Sequence, residues 1–253
     1  MASAPEILAG GLLGAVIGSF LNVVVHRVPL GESLVSPGSH CPGCGAEVKP
    51  YDNIPVVSWL VLRGRCRNCG MRISPRYPLV ELATAIAFAA VVAVRGFDND
   101  LVLELPFVAV LIALAAIDFD HKLLPNKIVY PMAVWGVLAT AIVDAGDLPE
   151  HLIAGAAAFS FLLLAALAYP AGMGMGDVKL AGVMGLYLGL SVIPALFASF
   201  LFGTVVGLGI VAREGVSARK TAVPFGVFLA LGGLVGVLVG PELLDLYRDH
   251  LLA

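Results

Sequence analysis

Three long stretches of the chain contain no Asp, Glu, Lys or Arg: Leu152 to Met175, Leu180 to Ala212 and Ala222 to Gly240. Uncharged apolar runs of about 18 or more residues cross a bilayer as helices. Shorter apolar segments bounded by isolated charges extend the pattern. Together they predict eight spans, at about 6–27, 78–95, 101–117, 126–143, 150–170, 177–189, 191–212 and 222–240. The 33-residue run from Leu180 to Ala212 would reach about 50 Å as a single helix, too far for one hydrocarbon core. Gly189-Leu190-Ser191, with Pro194 beyond, offers a break. The predicted class is an all-α polytopic membrane protein of about eight transmembrane helices, in contact with the lipid bilayer, with one small zinc-binding cytoplasmic loop.

Composition agrees. The 253 residues are 59% hydrophobic and 13% charged, where soluble domains carry about 25% charged residues. The net charge of −3 gives no ground for a nucleic-acid partner; the distribution of charge is what carries information. With eight spans and the N-terminus outside, the inside loops hold 13 of the 15 basic residues, including Arg213, Arg219 and Lys220. Only Arg95 and Arg248 fall outside. Merging the sixth and seventh spans would leave 10 against 5, a weaker fit to the positive-inside rule. The first segment, Ile7 to Val25, has no basic n-region and no small-residue cleavage site, and is expected to be a retained span rather than a signal peptide.

All four cysteines lie between positions 41 and 69, in "CPGCG" at 41–45 and "CRNCG" at 66–70. Each CxxCG has the form of a knuckle, in which backbone amides of a tight turn face two thiolates and glycine supplies a positive φ. Between Cys44 and Cys66 lie 21 residues, close to paired-knuckle spacing. Cys41, Cys44, Cys66 and Cys69 would complete a closed, structural tetrahedral Zn²⁺ site. In a loop of this size the metal would supply folding free energy. Free thiols or two disulfides are the alternatives. His40 adjoins the cluster as a spectator. The organisation expected is residues 1–27 as first helix, 28–77 as cysteine loop and 78–253 as the main membrane core.

Ionisable groups at membrane depth are costly and mark function by default. Asp118 closes the third predicted span and Asp177 opens the sixth, so the topology brings both to the cytoplasmic side. Two close carboxylates share a proton. The ionised member can deprotonate water while the protonated one polarises a carbonyl, which is aspartic-protease chemistry. The alternatives are plain interfacial acids, with Asp177 favoured by a helix dipole, or a cation pathway in a transporter. Transporters commonly show repeats or paired broken helices, and neither is evident. Asp120, His121 and Lys122 read as a solvated charged turn.

At these residues the chain resembles the bacterial type IV prepilin peptidases, the GxGD leader peptidases with an associated N-methyltransferase activity. "GSFLNVVVHRVP" at 18–29, the cysteine loop through "YPLVEL" at 77–82, "IDFDHKLLPN" at 117–126 and "GMGMGDVKLAG" at 172–182 are similar to that family's motifs, in order. The resemblance implies that Asp118 and Asp177 are catalytic. It implies that substrates are type IV prepilins or type II secretion pseudopilins, cut at the cytoplasmic membrane face after a glycine, just before a hydrophobic helix. It implies methylation of the new N-terminus from S-adenosylmethionine, although no cofactor fingerprint is present. Glu81 resembles a position in the methyltransferase region; otherwise it is a helix-start acid beside Arg76. One departure is Asn126, where family members often carry aspartate; asparagine is expected to cap the fourth span.

Overall fold

The computed structural model describes residues 2–170, 172–214 and 223–251. Arg219, Lys220 and the expected start of the last span at Ala222 lie outside the described residues. Nine α-helices occur among them: α1 (Ala4–Leu30), α2 (Val57–Val61), α3 (Arg76–Arg95), α4 (Leu101–His121), α5 (Asn126–Val143), α6 (Leu148–Ala168), α7 (Met175–Leu188), α8 (Val192–Glu214) and α9 (Phe225–Leu251). The described residues form no strands, only two isolated bridges in the cysteine loop. The chain divides into two compact units, Met1–Phe97 and Asp98–Ala253.

In the first unit α1 and α3 form an antiparallel pair. The pair depends on glycine. A Cβ at Gly10 would lie 2.8 Å from Val92, one at Gly14 2.6 Å from the Thr84 carbonyl, and one at Gly18 2.7 Å from the Glu81 Cα. Small residues at four-residue spacing let two helices approach backbone to backbone, which replaces the hydrophobic driving force that is missing in lipid. The loop between the helices carries the cysteines. Gly31 ends α1 in the left-handed region, φ 73, with its amide on the Arg27 and Val28 carbonyls.

The second unit is a helical bundle whose buried centre includes Phe107, Leu114 and Ile117 of α4, Met184 of α7 and Leu229 of α9. Among the described residues of the chain, seven stretches are long and apolar enough to cross a membrane; one of them, Met175–Arg213, runs 39 residues. Its break falls at Gly189–Ser191, a single 3-10 turn with Gly189 at φ 53. Glycines on α9 give the directions. Gly233 faces Met184 and Gly236 faces Leu188, so α7 runs parallel to α9. Gly232 faces Ser199 while Gly240 faces Ser191, so α8 runs antiparallel. The 39-residue stretch therefore doubles back at this turn as two helices of opposite direction. At the turn, Glu150 Oε1 accepts the Leu190 amide at 3.0 Å.

Two helix ends differ from the sequence expectation. α4 continues past Ile117 to His121, with Lys122 at φ 51 as its cap and its amide on the Asp118 carbonyl. Asp118 is thus inside the last turn, because the first charge ends the apolar run but not the helix. α9 likewise runs through Pro241 to Leu251 rather than stopping near 240, and beyond the proline it becomes polar, with Arg248 and Asp245 3.8 Å apart.

Replacing Gly14 by leucine is expected to cost about 1–3 kcal/mol or more, since overpacking displaces backbone rather than a side-chain tip. Gly207→Ala, where nothing lies within 4 Å of the new Cβ, is the tolerated control. Thermal denaturation of both variants in detergent measures the difference.

Candidate functional site

The last turn of α4 and the first turn of α7 lie at one end of the second unit. Asp118 is buried, 5% exposed. Its Oδ2 has no hydrogen-bond partner, and the backbone amides of Gly226 and Val227 at the start of α9 face the carboxyl group. A Cβ at Gly226 would lie 2.8 Å from Oδ2 and 3.1 Å from Leu124. Leu124 in turn lies 3.0 Å from the Cβ position of Gly176, the residue before Asp177. Asp177 is half-buried at the third position of α7 and accepts the Gly174 amide at 3.2 Å. The two acids are therefore neighbours around Leu124, while Asp120, two residues along α4, is exposed.

Beside them Lys179 extends from α7 to α5. Its Nζ donates to Asn126 Oδ1 at 3.0 Å and lies 5.2 Å from the centre of the Tyr130 ring. Asn126 does not cap α5. Pro125 occupies the cap position, Asn126 is the first helical residue, and its side chain is turned to the lysine. Sequence reasoning missed Leu124, Gly226 and the Lys179–Tyr130 stack. The available signal was a glycine at the start of the last helix and an aromatic one turn along from Asn126.

In the first unit the four cysteine sulfurs all lie within 4.8 Å of one another. The two knuckles repeat the same bonds: Cys41 and Cys66 amides donate to Ala46 and Met71 carbonyls at 2.8 Å, and Gly45 and Gly70 amides donate back to Cys41 and Cys66. Both glycines have positive φ, 70 and 72, as the CxxCG pattern requires. Cys41 and Cys69 sulfurs are 3.7 Å apart. A metal–sulfur bond of about 2.3 Å in a tetrahedron gives about 3.8 Å between sulfurs, so the donor set fits a metal ion. The electrostatics agree. The amides of Cys69 and Asn68 bring the Cys66 thiol down to about 7. For Cys69 the Met71 amide acts downward, but the neighbouring sulfurs and burial prevail and push it up to about 11. Four thiolates need a cation in their midst. His40 Nδ1 lies 3.1 Å from the Gly38 carbonyl.

The second knuckle is tied to the rest of the loop. Arg67 forks onto Asp52, with Nη2 2.6 Å from Oδ1, and its guanidinium lies over Tyr51. The guanidinium holds the Asp52 carboxyl below the usual carboxylate range. Glu81, in α3, is 8% exposed, and its Oε2 accepts the Val56 amide at 2.7 Å.

Fold and site define a class: polytopic helical membrane proteins with two neighbouring aspartates at helix ends and a tetracysteine loop. Comparison with known proteins narrows it. Residues 12–95 match the Bacterial Peptidase A24 N-terminal domain, and residues 105–208 match the Type IV leader peptidase family, each match inside one compact unit. Proteins named prepilin leader peptidase/N-methyltransferase are similar over most of the chain. The one from Pseudomonas aeruginosa is 36% identical, covering 95% of this chain and 93% of that protein. The one from Bacillus subtilis is 34% identical, covering 93% and 95%. The one from Myxococcus xanthus is 39% identical, covering 83% and 64%. No solved structure matches the chain. The chain belongs to the type IV leader peptidase family.

Replacing Cys66 by serine is expected to remove most of the metal that the purified protein carries, about one equivalent per chain, because three sulfurs leave the tetrahedron open. Elemental analysis after gel filtration measures it. A wild-type protein with no metal would refute the tetrathiolate site.

Proposed function

We propose that the chain is a membrane-embedded aspartic endopeptidase that removes the basic leader from type IV prepilins or pseudopilins, and methylates the new N-terminus. The observation that carries it is the neighbouring pair of buried Asp118 and half-buried Asp177 in a chain of this family. One carboxyl group, protonated, donates to the scissile carbonyl oxygen. The other, ionised, takes a proton from the water that attacks the carbonyl carbon. The tetrahedral diol then collapses: the second carboxyl gives the proton it took from water to the nitrogen, the first takes a proton back from a diol hydroxyl as the carbonyl re-forms, and the C–N bond breaks with the nitrogen leaving as an amine. Both residues end where they began, with their proton exchanged.

The multi-pass character supports placement in the bacterial cytoplasmic membrane. The cysteine loop and both aspartates would face the cytoplasm, where most basic residues gather by the positive-inside rule. The peptidase core lies within 78–253, with both acids beyond residue 98. The metal at Cys41, Cys44, Cys66 and Cys69 is structural zinc, since four thiolates leave no position open for substrate. S-adenosylmethionine is the methyl donor that the relatives' names imply. It carries a sulfonium cation and a zwitterionic amino acid. The open groove of ≈ 420 Å³ beside α1, lined by Val16, Ser19, Phe20, Val23, Asn53, Ile54 and Pro55, has no charged wall and does not fit it.

Asp118→Asn and Asp177→Asn are each expected to reduce cleavage of a co-expressed prepilin by about a thousandfold, the scale of a lost acid or base. The double variant should be scarcely worse, because the two act as a unit. Asp120→Asn should keep most activity. Leader loss is read by mass at matched expression and membrane insertion. Full cleavage by Asp177→Asn would remove the aspartic reading and turn attention to a cation site at the same acids.

A further inference from the structure

One residue of the cysteine loop adopts a backbone conformation that its side chain disfavours. Val56 has φ 61 and ψ −49. A β-branched residue at positive φ is a true outlier. The Val57 amide donates to the Pro55 carbonyl at 2.6 Å, so Val56 is the centre of a γ-turn of the positive-φ kind, which is rare and strained. Strain of this sort persists only where the surroundings over-determine it.

The surroundings here are specific. From above, buried Glu81 accepts the Val56 amide at 2.7 Å. From below, Ser58 Oγ donates to the Tyr51 carbonyl and accepts the Ile54 amide, both at 3.0 Å. Tyr51 and Asp52 are held by Arg67 of the second sulfur knuckle. The turn thus sits between the knuckles and α3. Asn53, Ile54 and Pro55 of the same turn wall the groove against α1.

We infer that Glu81 is a positioning residue: its carboxylate holds the Pro55–Val57 γ-turn in its strained form, and so fixes the knuckle-bearing loop to the α1–α3 pair. A carboxylate is suited to this. It is a strong acceptor for one amide that the turn has taken out of any helix or ladder, and α3 carries it without freedom to follow a relaxing loop. The first turn of α3 is also tied to α1, since Asn22 of α1 donates to the Tyr77 carbonyl at 3.1 Å.

The test uses the purified full chain and amide hydrogen exchange at Val57 and Ser58. Glu81→Ala should raise exchange at both about tenfold or more, with α1 and α3 amides little changed, because Val56 relaxes to negative φ. Glu81→Gln keeps an acceptor oxygen and should leave protection within a few-fold of wild type. Adding Val56→Gly to Glu81→Ala should restore protection, since glycine takes positive φ without strain. Unchanged exchange in Glu81→Ala, or no recovery in the double variant, overturns the inference. If Glu81→Ala does not fold, recovery of a folded chain by Val56→Gly supports it and continued misfolding refutes it. These arms do not depend on the proposed activity. A second measurement rests on that activity: N-methylation of a pre-cleaved substrate should fall in Glu81→Ala and return in the double variant. Restored protection without restored methylation would mean that Glu81 acts in the chemistry and not through the turn.

Discussion

A carboxyl group withdrawn from water is the constraint around which one end of the Asp98–Ala253 unit is arranged. Burying an ion without compensation is among the costliest acts in a protein, and lipid surroundings raise the cost further. Asp118 therefore needs dipoles, a proton or both. The start of α9 provides the first, with two backbone amides facing the acid at a helix N-terminus, where donors are otherwise unsatisfied. Asp177, the neighbour across Leu124, is the proposed partner in holding a proton. Gly226 has to be glycine for α9 to come this close, because a side chain there would meet Oδ2. One buried acid thus dictates a helix start, a glycine and a partner.

The same close approach organises the remaining helices. Gly155 and Gly185 bring α6 and α7 together, with a Cβ at Gly185 only 2.6 Å from the Ala154 carbonyl carbon. Gly232 and Gly236 do so for α8 and α9. Tyr187 links three helices of the unit: its ring stacks on Phe107 with centroids 4.5 Å apart, and its hydroxyl donates to the Met132 carbonyl at 2.9 Å. In lipid such packing and hydrogen bonding carry the association that hydrophobicity carries in water. The short α7, 14 residues, is pinned along its length in this way, which suits a helix whose first turn carries Asp177.

Much of this was legible in the sequence for a simple reason: lipid leaves few options. A long uncharged run must be helical, so the spans were readable, and the one ambiguous run breaks at Gly189–Ser191, ahead of Pro194. The CxxCG repeats were readable because glycine at positive φ is demanded by the knuckle itself. Helix ends were less so. The apolar run tells where lipid ends, and α4 and α9 continue past that point on backbone hydrogen bonds. The role expected for Asn126 failed for a related reason. Capping is a local property, but its side chain is used by Lys179 53 residues away, and no window of sequence contains that pair. Val56 was invisible altogether, because nothing in valine advertises a γ-turn.

The Lys179 contact also bears on why asparagine suits position 126. The ammonium lies two residues beyond Asp177, and its contacts are an amide oxygen and an aromatic face. Both are neutral, so neither contact offsets the ammonium's charge beside Asp118 and Asp177. An aspartate at 126 would pair with the lysine and cancel much of that field. It would also set a third carboxylate near the other two, in a setting where each added negative charge makes the next harder to ionise. Asparagine preserves the hydrogen bond that fixes α7 to α5 without adding to that competition. The departure from the family pattern at this position is thus compatible with a pair formed by Asp118 and Asp177.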